Sequence, residues 1–250
     1  MTGFPKPERC VACKSAVRRE WIAPILCSGK VLAGTGVWRS GTIDGRCTDC
    51  HDSQEASRLQ QWNQERVIRR LIELFGGVRP YREFTFERFR VTPETRRAFE
   101  KASNLDTSKE NLYLWGGCGV GKTHLAYATA RRAVEAGQTA EVIPAPLLTR
   151  RLRLKDPVEE QAGINHLIRA VAFVLDDLGT GSPTAYFRQV LQEILDGRRF
   201  RDRAGMVITS KYSLADLAQR LDDDTIPSRL AGMCEIIQMS GPDSRLRSMV

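Results

Sequence analysis

The sequence lacks any long apolar segment. None of its 250 residues belongs to a run that approaches the roughly eighteen apolar residues typical of a membrane-spanning helix. Its first residues, 1–10, also lack the apolar core of a secretory signal. We therefore expect a cytoplasmic protein that does not use a membrane.

The number of cysteines is odd. There are seven in a chain without an export signal, which argues against a disulfide framework. Four of them form two C-x2-C pairs: Cys10, Cys13, Cys47 and Cys50. Four thiolates at this spacing suit a structural, tetrahedral Zn²⁺ site. His51 or Cys27 could replace one ligand, because the segment between the pairs is longer than in a compact zinc ribbon.

The segment around these cysteines has few large apolar residues and needs such a metal to fold. It is followed by a stretch with helical periodicity that runs to about Phe75. No catalytic groups are evident there. We therefore predict that residues 1–80 are a zinc-binding module with a helix that binds a partner, and that residues 81–250 are a separate domain.

Positive charge is in excess. The net charge is +8 and the isoelectric point about 9.3, which permits contact with a polyanion such as DNA. The clearest basic run is 150–155. It fits either a solvated helix face or contacts with DNA phosphates, and the composition does not decide between them.

The stretch from Asn111 to Tyr127 contains the pattern Gly-x4-Gly-Lys-Thr of a phosphate-binding loop after a short apolar strand. Such a loop turns backbone N–H groups inward around phosphate oxygens, and the helix behind it adds its positive end. Lys122 is expected to reach the β- and γ-phosphates of ATP, and the Thr123 hydroxyl to coordinate Mg²⁺. The predicted nucleotide-binding residues are Gly116, Gly117, Cys118, Gly119, Val120, Gly121, Lys122, Thr123 and His124.

A second motif, which contains two acidic residues, follows the phosphate-binding loop by about fifty residues. The apolar run 170–175 is typical of a central parallel strand and ends at Asp176 and Asp177. Acidic groups at the carboxyl end of such a strand lie where α/β sheets bind ligands. We expect Asp176 to hold Mg²⁺ and Asp177 to orient or deprotonate the attacking water.

The remaining segments alternate between strand and helix, which predicts an α/β fold with a central parallel sheet flanked by helices. Thr184 to Arg203 reads as one amphipathic helix and 226–230 as a short turn. Ser210, at the end of the strand 205–209, is a further candidate for contact with the nucleotide, and Thr209 is the alternative. Three aromatic residues ahead of the phosphate loop fit either core packing or a wall of the adenine site: Phe84, Phe86 and Phe89.

Together these motifs resemble the AAA+ P-loop ATPases of the DnaC/DnaI helicase-loader and IstB transposition-helper group, over residues 84–247. The resemblance rests on the phosphate loop, the segment VLDDLG and the ordered segments ITSK, IPSRLAGMC and GPDSR. It implies that Arg229 acts as an arginine finger on a neighbouring subunit's ATP. It implies also that Arg245 contacts the γ-phosphate in its own subunit. Lys211 departs from the group, which usually has Asn there.

The resemblance implies two alternative functions for an ATP-dependent oligomer. The first is a loader that binds a replicative DNA helicase through the N-terminal module and single-stranded DNA through the AAA+ core. The second is a transposition helper that coats duplex DNA and recruits a transposase. Of the two, the zinc module favours the loader, because a metal knuckle suits a protein-docking appendage.

Overall fold

The computed structural model describes residues 65–75, 82–153, 156–181, 183–202 and 204–244, and ahead of them only the backbone of short strands between 8 and 47. The chain divides into two compact units, Met1–Arg66 and Val67–Val250. Among the described residues, no helix combines the length and the apolar character needed to cross a membrane.

The first unit contains short antiparallel strand pairs. The pairs are Glu8–Arg9 with Ala16–Val17, Glu20–Ile22 with Val37–Arg39, Ile25–Cys27 with Lys30–Ala33, and Thr42–Ile43 with Arg46–Cys47. The side chains of the predicted zinc ligands, Cys10, Cys13, Cys47 and Cys50, lie outside the described residues, as do those of Cys27 and His51. The zinc site therefore stays a prediction.

The second unit is built on a five-stranded parallel sheet. Its strands in chain order are β1 (Asn111–Gly116), β2 (Ala140–Pro144), β3 (Ala172–Leu178), β4 (Gly205–Ser210) and β5 (Glu235–Met239). Their order in the sheet is β2-β3-β4-β1-β5. Because all five strands are parallel, their carboxyl ends lie at one edge, and the phosphate loop and the acidic strand end meet there. This confirms the predicted α/β fold.

Helices cover both faces of the sheet, so both faces are apolar. Alternate residues of one strand enter opposite cores: Leu112 and Leu114 pack on one side of the sheet and Tyr113 on the other. The helices are α1 (65–75), α2 (Arg96–Asn104), α3 (Lys122–Glu135), α4 (Ala145–Leu152), α5 (Pro157–Arg169), α6 (Ala185–Arg199), α7 (Leu214–Leu221) and α8 (Thr225–Met233).

Two predicted boundaries were wrong. The short turn predicted at 226–230 is a nine-residue helix, α8, because Pro227 falls in the first turn, where its missing N–H needs no partner. Helix α6 ends at Arg199 instead of Arg203. The chain leaves the helix there and enters β4 at Gly205, where a Cβ would collide with the backbone of Thr107.

Arg198 explains how the end of α6 is held. Its side chain is 2% exposed and donates hydrogen bonds to the carbonyl oxygens of Leu167 (2.6 Å), Ile168 (3.2 Å), Ala170 (2.9 Å) and Gly205 (2.7 Å). These carbonyls end α5 and begin β4, so one guanidinium joins three elements. Its flat face also lies over the ring of Phe173, at 5.2 Å from the centroid.

We predict that Arg198→Ala lowers the free energy of unfolding by at least about 3 kcal/mol, because it leaves buried carbonyl oxygens without donors. Urea denaturation of the full chain measures this. Arg199→Ala, at the exposed neighbouring position, should change the stability by no more than about 0.5 kcal/mol. Equal effects of the two substitutions would contradict the structural role given to Arg198.

Candidate nucleotide-binding site

The phosphate loop connects β1 to α3 through backbone that needs glycine. Gly116, Gly119 and Gly121 all have positive φ, of 142°, 68° and 99°. A Cβ at Gly116 would collide with the carbonyl oxygen of Met239 on the neighbouring strand β5. The loop is thus clamped against β5 as well as held by its own turn, and this fixes the N–H groups that precede α3.

Lys122 lies inside this loop. Its side chain is 6% exposed, and its ammonium donates to the carbonyl oxygens of Gly116 (2.9 Å) and Gly117 (2.6 Å). Burial lowers the pKa of Lys122, while the nearby charge of Asp177 opposes that shift. A buried cation with only neutral carbonyl partners has a strong electrostatic preference for an anion such as a phosphate.

Asp176 is the point at which three elements meet. Thr123 of α3 donates to its carboxylate oxygens at 3.0 and 3.3 Å, and Thr209 of β4 donates to it at 2.6 Å. The carboxyl group is buried at the end of β3. Burial raises the pKa of Asp176, and the hydrogen bond from Thr209 opposes this rise. The hydroxyl from Thr209 therefore helps to keep the acid ionised.

Asp177 follows in a left-handed conformation, with φ of 58°, which Asp tolerates better than most residues. The register between β3 and β4 shifts at this point, between Leu175 and Leu178, as in a β-bulge that redirects side chains. The backbone N–H of Asp177 donates to Thr209 at 2.9 Å. Within the described part of the chain, its carboxylate has no hydrogen-bond partner, so it is available to a water molecule.

Ser210 and Thr209 are placed differently by the strand. The Ser210 hydroxyl is fully buried and donates to the carbonyl oxygen of Leu178 at 2.7 Å, and it accepts from the N–H of Tyr212. Thr209, one residue earlier, contacts Asp176. Both hydroxyls were candidates from the sequence, and the structure brings Thr209 to the acidic group. Lys211 is exposed.

The other predicted loop residues divide into two kinds. Cys118 is exposed, whereas Val120 packs its side chain into the core at 7% exposure. His124 lies on α3 with its Nε2 atom 2.7 Å from the carbonyl oxygen of Thr85. Val120 and His124 thus use their side chains to fix the loop and its helix.

The aromatic residues ahead of the loop pack against α3. Phe89 stacks on Phe99 and lies against Gly121, where a Cβ would meet its ring at 2.5 Å. Phe84 contacts the rings of His124 and Tyr127. Of the two interpretations of these aromatics, the contacts favour core packing beside the loop.

Arg229, the predicted arginine finger, lies on α8. Its guanidinium makes a two-point contact with Asp196 of α6: Nε to Oδ1 at 2.5 Å and Nη2 to Oδ2 at 2.9 Å. This hydrogen-bonded pairing raises the pKa of Arg229. The third nitrogen, Nη1, has no partner among the described residues. The described chain therefore does not bring Arg229 together with its own phosphate loop. No pattern in the sequence points to Asp196, which is 33 residues away.

Arg245 lies outside the described residues. The chain just before it reaches the phosphate loop, because Ser244 donates to the carbonyl oxygen of Gly119 through its hydroxyl (2.7 Å) and its N–H (3.2 Å). A Cβ at Gly119 would collide with Asp243. The segment that leads to Arg245 is thus fastened to the loop itself.

The oxygen ligands that Thr123 and Asp176 offer fit Mg²⁺ bound to a nucleotide. Carboxylate and hydroxyl oxygens are the ligands that Mg²⁺ prefers, together with phosphate oxygens and water. Thr123 and Asp176 supply them within hydrogen-bond distance of each other. The glycine loop, the buried lysine and the strand-end acid, at one edge of a parallel sheet, define the class of P-loop nucleotide-binding proteins.

Comparison with known proteins identifies the family. The IstB-like ATP binding proteins match residues 57–250, and the chain belongs to this family. A protein described as the ATP-binding protein of insertion sequence IS21 from Pseudomonas aeruginosa is 27% identical over 143 residues, 55% of this chain and 53% of that protein. The corresponding protein of IS5376 from Geobacillus stearothermophilus is 26% identical over 194 residues, 74% of this chain and 75% of that protein. The chain thus spans about half the length of the first relative.

Solved structures show the same fold. The DnaC helicase loader aligns with a TM-score of 0.56 at 24% identity, over 65% of this chain and all of that chain. AMPPCP-bound DnaA from Aquifex aeolicus aligns with a TM-score of 0.54 at 20% identity, over 67% of this chain and 53% of that chain. The family and the fold confirm the predicted resemblance, and they support ATP binding and ATPase activity in general terms.

We predict that Thr209→Val reduces the rate of Mg²⁺-dependent ATP hydrolysis about tenfold to a hundredfold, because the acid loses a supporting hydroxyl while the side-chain volume is kept. A coupled ATPase assay measures this. Ser210→Ala is the matched control. It removes the next hydroxyl along the same strand and should leave the rate within about twofold. A greater loss of activity in the Ser210 variant would contradict the assignment.

Proposed function

We propose that this chain is an ATPase that assembles on duplex DNA as an ATP-dependent oligomer and recruits a transposase to that DNA. The observation that carries the proposal is the family match over residues 57–250. The similar proteins named for insertion sequences support a role in transposition. The built site at the carboxyl edge of the sheet supports the use of ATP.

The residues of the site divide the chemistry among them. Lys122 would offset the charge of the β- and γ-phosphates, and Thr123 and Asp176 would hold Mg²⁺. The metal would supply further positive charge to the transferring phosphoryl group. Asp177, with its unpartnered carboxylate, would orient the attacking water. Thr209 would hold Asp176 and the backbone of Asp177 in place.

Arg229 is proposed to act on the ATP of a neighbouring subunit. Its two-point contact with Asp196 fixes the guanidinium against α6, and the buried Nη1 has no acceptor among the described residues. Positive charge delivered in this way stabilises the charge that develops on the transferring phosphoryl group. Arg245 is proposed to act within its own subunit, since the segment before it is fastened to the phosphate loop at Gly119.

The basic run 150–155 is proposed to contact the DNA backbone. Arg150 and Arg151 are exposed on α4. Arg151 pairs with Glu141 at 3.0 Å, while Arg150 has no carboxylate partner among the described residues.

Residues 1–80 are proposed as the partner-binding module, held by zinc at the four cysteines. Metal analysis of the purified chain tests this, and the absence of zinc would contradict it.

The alternative is a loader of a replicative helicase on single-stranded DNA. The N-terminal cysteine module favoured it at the level of sequence. The likeness to DnaC, at 24% identity, is a likeness of fold and does not favour one function over the other. The insertion-sequence relatives therefore move our preference to the transposition helper.

The two functions predict different DNA preferences. We expect the full-length protein with ATP and Mg²⁺ to bind duplex DNA more tightly than single-stranded DNA of the same length, and to retain a transposase encoded beside it in a pull-down. Fluorescence anisotropy at fixed salt measures the preference. A preference for single strands, together with retention of the cognate helicase, would replace the transposition proposal with the loader.

We predict that Arg229 acts between subunits. Lys122→Ala and Arg229→Ala should each hydrolyse ATP poorly alone, because one loses its own site and the other cannot complete its neighbour's. Mixing them should restore part of the activity, since the Lys122 variant supplies an intact Arg229 to the other's intact phosphate loop. The ATPase rate of the mixture in the presence of DNA measures this. If the mixture is no more active than the separate proteins, Arg229 does not act in trans.

A further inference from the structure

Phe200 is the most exposed large apolar side chain in the described part of the chain, at 82%. It follows the last residue of α6 and precedes β4. An aromatic ring of this size loses favourable burial when it is left in water. Its position in a basic segment, GRRFRD, is unlike that of Val158, which is 75% exposed beside Glu159 and Glu160.

Two arginines flank Phe200 in the chain, and Arg169 ends the neighbouring helix α5. The guanidinium of Arg199 lies 5.5 Å from the centre of its ring, so one face of the ring is already in contact with a cation. Arg201 and Arg169 are exposed as well. We call this group of four residues, Arg169, Arg199, Phe200 and Arg201, the Phe200 patch. Within the described residues none of its three arginines has a carboxylate partner, although Asp202 is an exposed neighbour.

The buried side chain of Arg198 holds the backbone segments that carry the Phe200 patch. Arg198 donates hydrogen bonds to the carbonyl oxygens of Ile168 and Ala170, the two residues beside Arg169 in the chain. It also donates to the carbonyl oxygen of Gly205, which follows Phe200 in the chain. The end of α5 and the end of α6 are therefore tied together. This fixes the backbone segments that carry the arginines before any ligand binds, and lowers the entropy that ordering the backbone would cost.

The patch lies at the opposite edge of the sheet from the phosphate loop. Arg169 precedes the start of β3, and Phe200 precedes the start of β4, whereas the nucleotide site is built on the carboxyl ends of these strands. The patch therefore shares no residue with the ATP site. Substitutions in it test a binding function without touching the machinery for hydrolysis.

We propose that the Phe200 patch binds single-stranded nucleic acid, with a base stacked on the open face of Phe200 and backbone phosphates bound by Arg169, Arg199 and Arg201. Stacking needs an unpaired base, because a duplex conceals the faces of its bases. Unpaired arginines suit phosphates better than an apolar partner. The inference rests on the proposed function only in that DNA is the ligand of this ATPase.

The test uses the full-length protein with a fluorescein-labelled oligothymidylate and a duplex of the same length. Phe200→Ala should weaken single-strand binding at least about fivefold, and Phe200→Trp should restore it. Arg199→Gln and Arg201→Gln should each lower the slope of log affinity against log salt by about 0.7. Val158→Ala, the matched control, should bind like wild type. The ATPase rate without DNA should be unchanged in all of them.

The outcomes separate this proposal from the proposed function. Wild-type single-strand affinity in Phe200→Ala, or an equal loss in Val158→Ala, would overturn the patch while leaving the ATPase assignment intact. An equal loss of duplex and single-strand binding would replace base stacking with general phosphate contact and would also overturn it. Photocrosslinking of a bromodeoxyuridine-substituted strand to the peptide that contains Phe200 is expected. A crosslink found only elsewhere contradicts the proposal. A wild-type protein that binds no DNA would overturn the proposed function as well.

Discussion

Two hydroxyl groups hold the buried carboxylate of Asp176, and this contact organises the nucleotide-binding edge of the sheet. An acid in this position is costly to ionise, and burial raises its pKa. It is kept usable by hydroxyl groups from Thr123 on the helix behind the phosphate loop and from Thr209 on the neighbouring strand. One carboxylate thereby joins α3, β3 and β4, and the same contacts that hold these elements together prepare a site for Mg²⁺ and a nucleotide.

The parallel sheet separates two groups of side chains at its opposite edges. The carboxyl ends of the strands carry the phosphate loop, the acidic pair and Thr209. The amino ends of β3 and β4 are joined by Arg198 and carry the exposed arginines and Phe200. Arg229 belongs to neither group, since it is fixed by Asp196 on the flank formed by α6 and α8. A subunit arranged in this way would keep apart its ATP site, the proposed surface for a neighbour and the proposed surface for a polyanion.

Much of the fold and part of the site could be predicted from sequence, because they depend on local patterns. The glycine loop between a strand and a helix specified Lys122 and Thr123, and the apolar run ending in two acids specified Asp176. The choice between Thr209 and Ser210 depended on strand register. Neighbouring residues on a strand point to opposite faces of the sheet. The hydroxyl of Thr209 therefore reaches Asp176, whereas the hydroxyl of Ser210, one residue later, reaches the carbonyl oxygen of Leu178. The partner of Arg229 could not be predicted from the sequence, because only the packing of α8 on α6 brings Asp196 to it.

Lys122 and Asp176 are proposed to form a site for Mg²⁺ and ATP. Isothermal titration calorimetry of the purified full-length chain with ATP tests it most directly, with and without Mg²⁺. We predict saturable binding that Mg²⁺ tightens, with the Mg²⁺ effect lost in Asp176→Asn. An absence of binding to wild-type protein under both conditions, or an undiminished Mg²⁺ effect in that variant, would contradict it.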